Sequence, residues 1–381
     1  MSVRILHLAD LHLGAAFPSM GERGTERTRD LLAAFQRAVE YAAGDPRPVD
    51  LVVIAGDLFD THDPEEGLVF QVEAALERLD RAGLPVLLVP GTHDSLSYRR
   101  SVYRRMRLPK GAHLFSGPTL APGPELTVRG ETVQTYGVAY EPSASARPLR
   151  DFQPSGLADH HVAVLHAALQ DSPHWKIRPT DLPISRSEIG ASGLRYLALG
   201  HFHNFAEIRE NGVVAVYPGT LEGKKFGENG PRSLVTAILS DSGVKIERTP
   251  WNARTLHEIA VDFQVGEVRD EAQLESRVLA FAGDREIARV RLEGGSDFVF
   301  EAERLAKRLA PRFFHVEIDD RTYILNAALL ARFRDEATVR GVFVRQMLHR
   351  IERASDPATR ETASLALRLG LAEFQNPRHA P

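Results

Sequence analysis

Residues 51–60 read LVVIAGDLFD: an apolar run, a glycine, and then two acids three positions apart, Asp57 and Asp60. A run of this length, rich in β-branched residues and closed by Gly56, predicts a buried strand whose backbone turns sharply where it ends. It is apolar on both faces, as a strand is when its sheet is covered on each side. Before it, TERTRDLLAAFQRAVEYAA (25–43) carries Leu31, Leu32, Phe35, Val39 and Ala42 as a helical stripe. After it, EEGLVFQVEAALERLDRAG (65–83) repeats the pattern with Leu68, Val72, Leu76 and Leu79, and stops at Gly83 with Pro85 beyond. With VRILHLA (3–9) upstream and LPVLLVPG (84–91) downstream, the order strand, helix, strand, helix, strand is a parallel α/β beginning.

After about Pro118 the pattern changes. LTVRGETVQTYGVAY (126–140) alternates like a hairpin, and HHVAVLHA (160–167), RYLALGH (195–201), VVAVYPG (213–219) and RSLVTAIL (232–239) follow with few helices between them. A second sheet packed on the first, with helices outside, accounts for this order: a four-layered α/β/β/α sandwich over residues 1–250. From about Leu256 the strands LHEIAVDF, EIARVRLEG and FFHVEID alternate with the helical patterns EAQLESRVLAFAG and SDFVFEAERLAKRL, giving a smaller β/α unit over 255–325. The tail, 326–381, reads as helix from Asn326 to Phe374, broken by SDP at 355–357.

The chain has 381 residues, 43% of them apolar, and no cysteine. Disulfides, thiolate nucleophiles and cysteine zinc sites are excluded, so any metal must be held by imidazole, carboxylate or neutral oxygen. No stretch approaches the ~20 apolar residues of a membrane span, and MSVRILHLADLHLG has acids and histidines where a signal peptide is apolar. The expectation is a cytoplasmic protein with no membrane association. A net charge of -4 neither demands nor forbids nucleic acid, because a local basic surface decides that. Such a stretch exists: SYRRSVYRRMRLPK (97–110) carries Arg99, Arg100, Arg104, Arg105, Arg107 and Lys110 around Tyr98 and Tyr103. Basic groups interleaved with aromatics suit a phosphate backbone and splayed bases; the bland reading is a solvated helix with Tyr98, Val102 and Met106 turned inward.

The chemistry gathers at strand ends. LHLADLH ends in Asp10 and His12, LVVIAGDLFD in Asp57 and Asp60, VLLVPGTHD in His93 and Asp94, VAVLHA in His166, and YLALGHFH in His201 and His203. Open α/β sheets place their sites at these carboxyl ends. Oxygen and imidazole donors without sulfur suit manganese, iron or zinc, and there are enough of them for two ions that leave room for water and substrate. The implied reaction is phosphoester hydrolysis. His7, His62, His113, His160 and His161 fit no such position and read as structural.

The ordered set DLH, GDLFD, GTHD, LH and GHFH resembles the five signature motifs of the calcineurin-like metallophosphoesterases. The GDLFD form, the YPGT loop after GHFH and a β/α cap ending in helices resemble the SbcD-type DNA repair exonuclease subunits. The motif match covers residues 1 to about 225. The resemblance implies two divalent ions, manganese before iron or zinc. It implies Asp10, His12, Asp57 and His203 on one ion, and Asp57, His166 and His201 on the other. His93 matches the histidine that stabilises the transition state or protonates the leaving oxygen, and Asp60 the carboxylate that orients it. GTHD departs from the usual GNHD: Thr92 stands where an asparagine oxygen is a ligand, which predicts weaker affinity at the second ion.

Further implications are DNA as substrate, an SbcC-type coiled-coil ATPase as partner, and tail helices that dock on it or on the protein's own cap. A homodimer is left open. Lys224 and Lys225, in the Gly-rich loop LEGKKFGENG, are candidates beside Arg99, Arg100, Arg104 and Arg105 for phosphate contacts. Two other readings remain: a small-substrate nucleotide phosphodiesterase with the same site, and a DNA-end-binding scaffold whose catalysis is weakened by Thr92.

Overall fold

The computed structural model describes residues 2–142, 147–170, 172, 177–263, 268–296, 298, 300–324 and 327–375, and divides into two compact units, Met1–Thr255 and Leu256–Pro381. In the first unit, β1 (Ser2–Leu8), α1 (Arg23–Ala42), β2 (Leu51–Ala55), α2 (Glu66–Arg81), β3 (Val86–Val89) and β4 (Ala112–Leu114) form the expected alternating start. The hairpin β5 (Ala121–Val128) and β6 (Glu131–Gly137) leads to β7 (His160–His166), α3 (Arg186–Ala191), β8 (Tyr196–Gly200), β9 (Ala206–Glu210), β10 (Val213–Tyr217), β11 (Ser233–Ser240) and β12 (Gly243–Pro250). Two six-stranded sheets result, in the orders β12-β11-β1-β2-β3-β4 and β5-β6-β7-β8-β10-β9. β1 to β4 pair in parallel, as do β6, β7, β8 and β10, so each sheet sends several strands to the same end.

Period-two alternation sets the layers. Val3, Ile5, Val53, Ala55, Leu87 and Val89 of the first sheet pack against Val162, Val164, Tyr196, Ala198, Val214 and Val216 of the second. The intervening residues of each strand point the other way: Ala163, Leu165, Leu197 and Leu199 meet Ile189 of α3, while α1 and α2 bury Leu31, Phe35, Val39, Val72, Leu76 and Leu79. The order is therefore helix, sheet, sheet, helix. The apolar runs do not disclose β4, β9 or α3; α3 is fixed by a capping box in which Ser185 and Glu188 satisfy each other's backbone N–H.

In the second unit β13 (Thr255–Asp262), α4 (Glu271–Leu279), β14 (Gly283–Ser296), α5 (Ala302–Leu309) and β15 (Phe313–Ile324) build a three-stranded sheet, β13-β14-β15, followed by α6 (Ala327–Arg334), α7 (Val339–Glu352) and α8 (Pro357–Gln375). Its core joins Ile259, Val261, Leu274, Val278, Val290, Leu305 and Leu309. Helix was expected from 296 onwards, yet α5 begins only at Ala302. Phe298 and Phe300 instead turn onto Phe263, with ring centroids at 5.6 and 5.9 Å. The tail is interrupted before α7, where the Thr338 side chain accepts from Gly341 N–H as an N-cap. In α7, Val339 and Val342 are exposed, while Val344 and Met347 pack with Phe333, Ala363, Leu367 and Leu371, partly flanked by Phe343 and Ile351. Asn326 lies outside the described residues.

Candidate metal centre

The ends of β1 and β2 run together as two strained turns. Asp10, His12 and Asp57 have φ of 52°, 45° and 49°, and His201 has 109°, all in the left-handed region that side chains avoid. Such residues cost on the order of 1–3 kcal/mol each and persist where their surroundings over-determine them. Here backbone bonds do so: Asp10 N–H to Gly56 O (3.1 Å), His12 N–H to Asp57 O (2.9 Å), Leu13 N–H to Leu58 O (2.9 Å) and Asp60 N–H to Leu13 O (3.0 Å).

The motif glycines are there because of close approach. A Cβ on Gly56 would overlap the His166 ring, one on Gly91 the Asp57 carboxylate, and one on Gly200 the carbonyl of Ala55. Since that last obstacle is backbone, Gly200→Ala is expected to destabilise the protein by at least the roughly 1–3 kcal/mol of ordinary overpacking. Thermal unfolding beside the wild type measures this, and an unchanged midpoint would contradict the close approach.

Imidazole orientation is set from behind. His12 donates Nδ1–H toward Asp60 Oδ1 (3.1 Å), and His203 donates Nδ1–H to Glu228 Oε1 (2.6 Å). Both Nε2 lone pairs then face each other at 3.1 Å, which is repulsive unless a proton or cation lies between them. His166 donates Nδ1–H to Ala55 O (3.0 Å), leaving its buried Nε2 without a hydrogen bond, 3.5 Å from Asp57 Oδ2. His201 turns Nε2 toward Asp181 Oδ2 at 3.7 Å, while its backbone N–H holds both oxygens of Asp10 at 3.1 Å. For His12, His203 and His166, an oxygen behind the ring and an aimed nitrogen in front is how proteins prepare histidines for metal.

Two groups bring their donor atoms within 4.8 Å of one another: Asp10, His12 and His203, and Asp10, Asp57 and His166; a third joins His12, Asp60 and His93. The first two share Asp10, where the sequence expectation shared Asp57, and among the described residues no such group of histidines and acids includes His201. Asp57 lies 3.8 Å from His12 Nε2, so it still faces both. Thr92 Oγ1 donates to Asp57 Oδ2 (3.0 Å) and His93 N–H to Asp57 Oδ1 (2.8 Å).

Burial shapes the charges. It lowers His12 and His166 to about 4, so both rings are neutral donors at physiological pH. Burial, followed by the charge of Asp57, pushes the Asp10 carboxyl well above its usual range. Burial also resists ionisation of Asp57, but His166, His12 and His93 outweigh it and pull its carboxyl down. Two adjacent buried acids that repel each other, an orphaned imidazole nitrogen and opposed lone pairs fit divalent cations held by oxygen and nitrogen.

Asp60 meets His93 through its backbone. His93 Nδ1 bonds to its backbone carbonyl (2.9 Å), whereas the carboxylate sits 3.8 Å from that nitrogen and is engaged by His12 and by Lys224. The helix reading of the basic stretch is also overturned. Only Val102–Arg104 form a 3-10 turn, because loop contacts claim the side chains. Arg100 and Arg105 pair with Asp63 (2.8 and 3.1 Å), Arg105 donates to Pro64 O (2.6 Å) and Arg104 to Leu96 O (2.6 Å). With Arg99 they line an open recess of about 500 Å³. Lys224 stands inside the centre, 3.2 Å from His12 Nδ1, while Lys225 is exposed.

Sequence reasoning missed Glu228 and Asp181, which lie in loops without recognisable spacing. It also gave Asp94 no role. That carboxylate, fully buried, accepts from Gly91 N–H (2.7 Å), Phe59 N–H (3.1 Å) and Tyr103 OH (2.9 Å), and so ties the turns after β2 and β3 to the basic stretch. His7 is structural, bonded to Tyr196 OH at 2.8 Å. Among the described residues no helix is long and apolar enough to cross a membrane.

The chain is 28% identical over 340 residues to the DNA double-strand break repair protein Mre11 of Haloferax volcanii, covering 88% of this chain and 68% of that one. It is 25% identical over 250 residues to the uncharacterized metallophosphoesterase YhaO of Bacillus subtilis, covering 64% and 59%. With the SbcD component of the SbcCD nuclease of Bacillus subtilis the figures are 26% over 281 residues, 65% and 68%. The chain thus spans about two thirds or less of the length of these relatives. The pattern of the calcineurin-like phosphoesterases matches residues 3–205, a stretch that contains Asp10, His12, Asp57, His93, His166, His201 and His203. The chain belongs to the calcineurin-like phosphoesterase family.

Proposed function

We propose that the protein hydrolyses phosphodiester bonds of DNA with two divalent ions, manganese foremost, as the nuclease subunit of a repair complex with an SbcC-type ATPase. The observation that carries the reading is the pair of donor groups around Asp10 and Asp57, joined to relatives named as a DNA break repair protein and a nuclease component. Asp10, His12, Asp57 and His203 would hold one ion, and Asp57, His166 and His201 the other. Bound there, the ions supply positive charge against the phosphate and acidify water.

The remaining roles belong to side chains. His93 is 44% exposed at the mouth, and its Nδ1 bond to Asp60 O leaves Nε2 for the leaving oxygen. Asp60 and Glu228 fix the outer nitrogens of His12 and His203, and Lys224 holds Asp60 in turn. The arginines of residues 99–105 offer charge along the approach, partly offset by Asp63.

Comparing Mn-dependent cleavage of linear double-stranded DNA with that of a small chromogenic phosphodiester tests the reading. DNA cleavage supports it; turnover of the small ester alone moves the assignment to a small-substrate phosphodiesterase.

Thr92 is expected to weaken binding of the second ion, because its hydroxyl, which donates to Asp57 Oδ2, is a shorter and poorer neutral donor than an asparagine amide oxygen. Thr92→Asn is expected to tighten that step roughly ten-fold or more, the scale on which single groups around a metal act. Manganese calorimetry on the two proteins measures it, and two equally tight ions in the wild type would dispose of the idea.

A further inference from the structure

The loop after β2 and the loop after β3 lie side by side, and their contacts run in order. Asp60 O meets His93 Nδ1 (2.9 Å), the His62 ring stacks on Tyr98 (centroids 4.0 Å apart, planes at 17°), and Asp63 meets Arg100 and Arg105. Moving away from the reacting centre one therefore passes the exposed histidine, then an aromatic ring, then guanidinium groups. His62 is two residues from Asp60, so it lies within about 7 Å of it along the chain.

Tyr98 is held rather than loose. Its carbonyl accepts from Ser101 N–H (3.1 Å) and Arg104 Nε–H (3.4 Å), and His62 O accepts from Val102 N–H (2.7 Å). The imidazole covers one face of the phenol, yet Tyr98 remains 42% exposed, whereas Tyr103 and Tyr140 are buried. An aromatic ring fixed from behind and open in front, next to cations, is the arrangement on which an unpaired base stacks.

We propose that Tyr98, backed by His62, is a stacking platform for the nucleobase next to the scissile phosphate, so that the centre takes DNA whose terminal base has left the duplex stack. The proposal rests on the DNA reading above. The phosphate would lie before His93, its base on Tyr98, and the following phosphates along Arg99, Arg100 and Arg104.

The test uses the full chain in EDTA with a duplex carrying 2-aminopurine at its unpaired 5′ or 3′ end, read by fluorescence for stacking and by anisotropy for binding. Wild type, Tyr98→Phe and Tyr98→Trp are expected to quench the probe. Tyr98→Ala should abolish quenching and weaken binding roughly five-fold or more. Retention by the phenylalanine variant separates stacking from a folding defect. If the wild type binds the duplex but Tyr98→Ala quenches equally, or no protein quenches, the platform is overturned while the DNA reading stands. If the wild type binds no DNA, both fall.

Discussion

Asp57→Asn is expected to abolish hydrolysis, lowering the rate by at least the roughly 10³-fold that loss of one transition-state-stabilising group costs. The carboxylate is buried, accepts from Thr92 Oγ1 and His93 N–H, and faces His166 Nε2 at 3.5 Å and His12 Nε2 at 3.8 Å. An amide of the same shape removes the negative charge that faces a histidine of each donor group. Its NH₂ would also confront Thr92 or His93, each already a donor. Metal content after dialysis and turnover should fall together. Retention of either would show that Asp57 is a bystander to the centre.

His93→Ala is expected to separate the two. The ring is 44% exposed and its removal opens no cavity in the core, so stability and metal content should stay near wild type. Turnover should drop about 10²- to 10⁴-fold, the usual worth of a positioned proton donor. The check is kcat on DNA beside manganese calorimetry on the same sample. Loss of metal in this variant would recast His93 as a ligand, consistent with its place in the group of His12, Asp60 and His93.

Legibility in the sequence followed the physics of each element. LVVIA and its neighbours are buried on both faces, so their apolar runs disclosed two sheets, and the glycines that end three of the runs, Gly56, Gly91 and Gly200, are required by a neighbour's backbone or side chain. Asp10, His12, Asp57, His166, His201 and His203 were legible as candidates because strand ends are local in sequence, and all but His201 fall in the donor groups around Asp10. What could not be read depended on loops from different strands meeting. Glu228 reaches His203 across 25 positions, and Asp181 approaches His201 from a separate loop. The basic stretch has helical spacing in its apolar residues, but Asp63 and the carbonyls of Pro64 and Leu96 capture its arginines and hold it open. Asp60 was expected to act through its carboxylate, and it is the backbone carbonyl that reaches His93.

The most direct measurement is a manganese titration of the purified chain followed by electron paramagnetic resonance. Two ions sharing the Asp57 carboxylate should give an exchange-coupled signal that appears as the second equivalent binds and is missing in Asp57→Asn. An isolated six-line spectrum at every ratio, or no bound manganese, would contradict the two-ion centre.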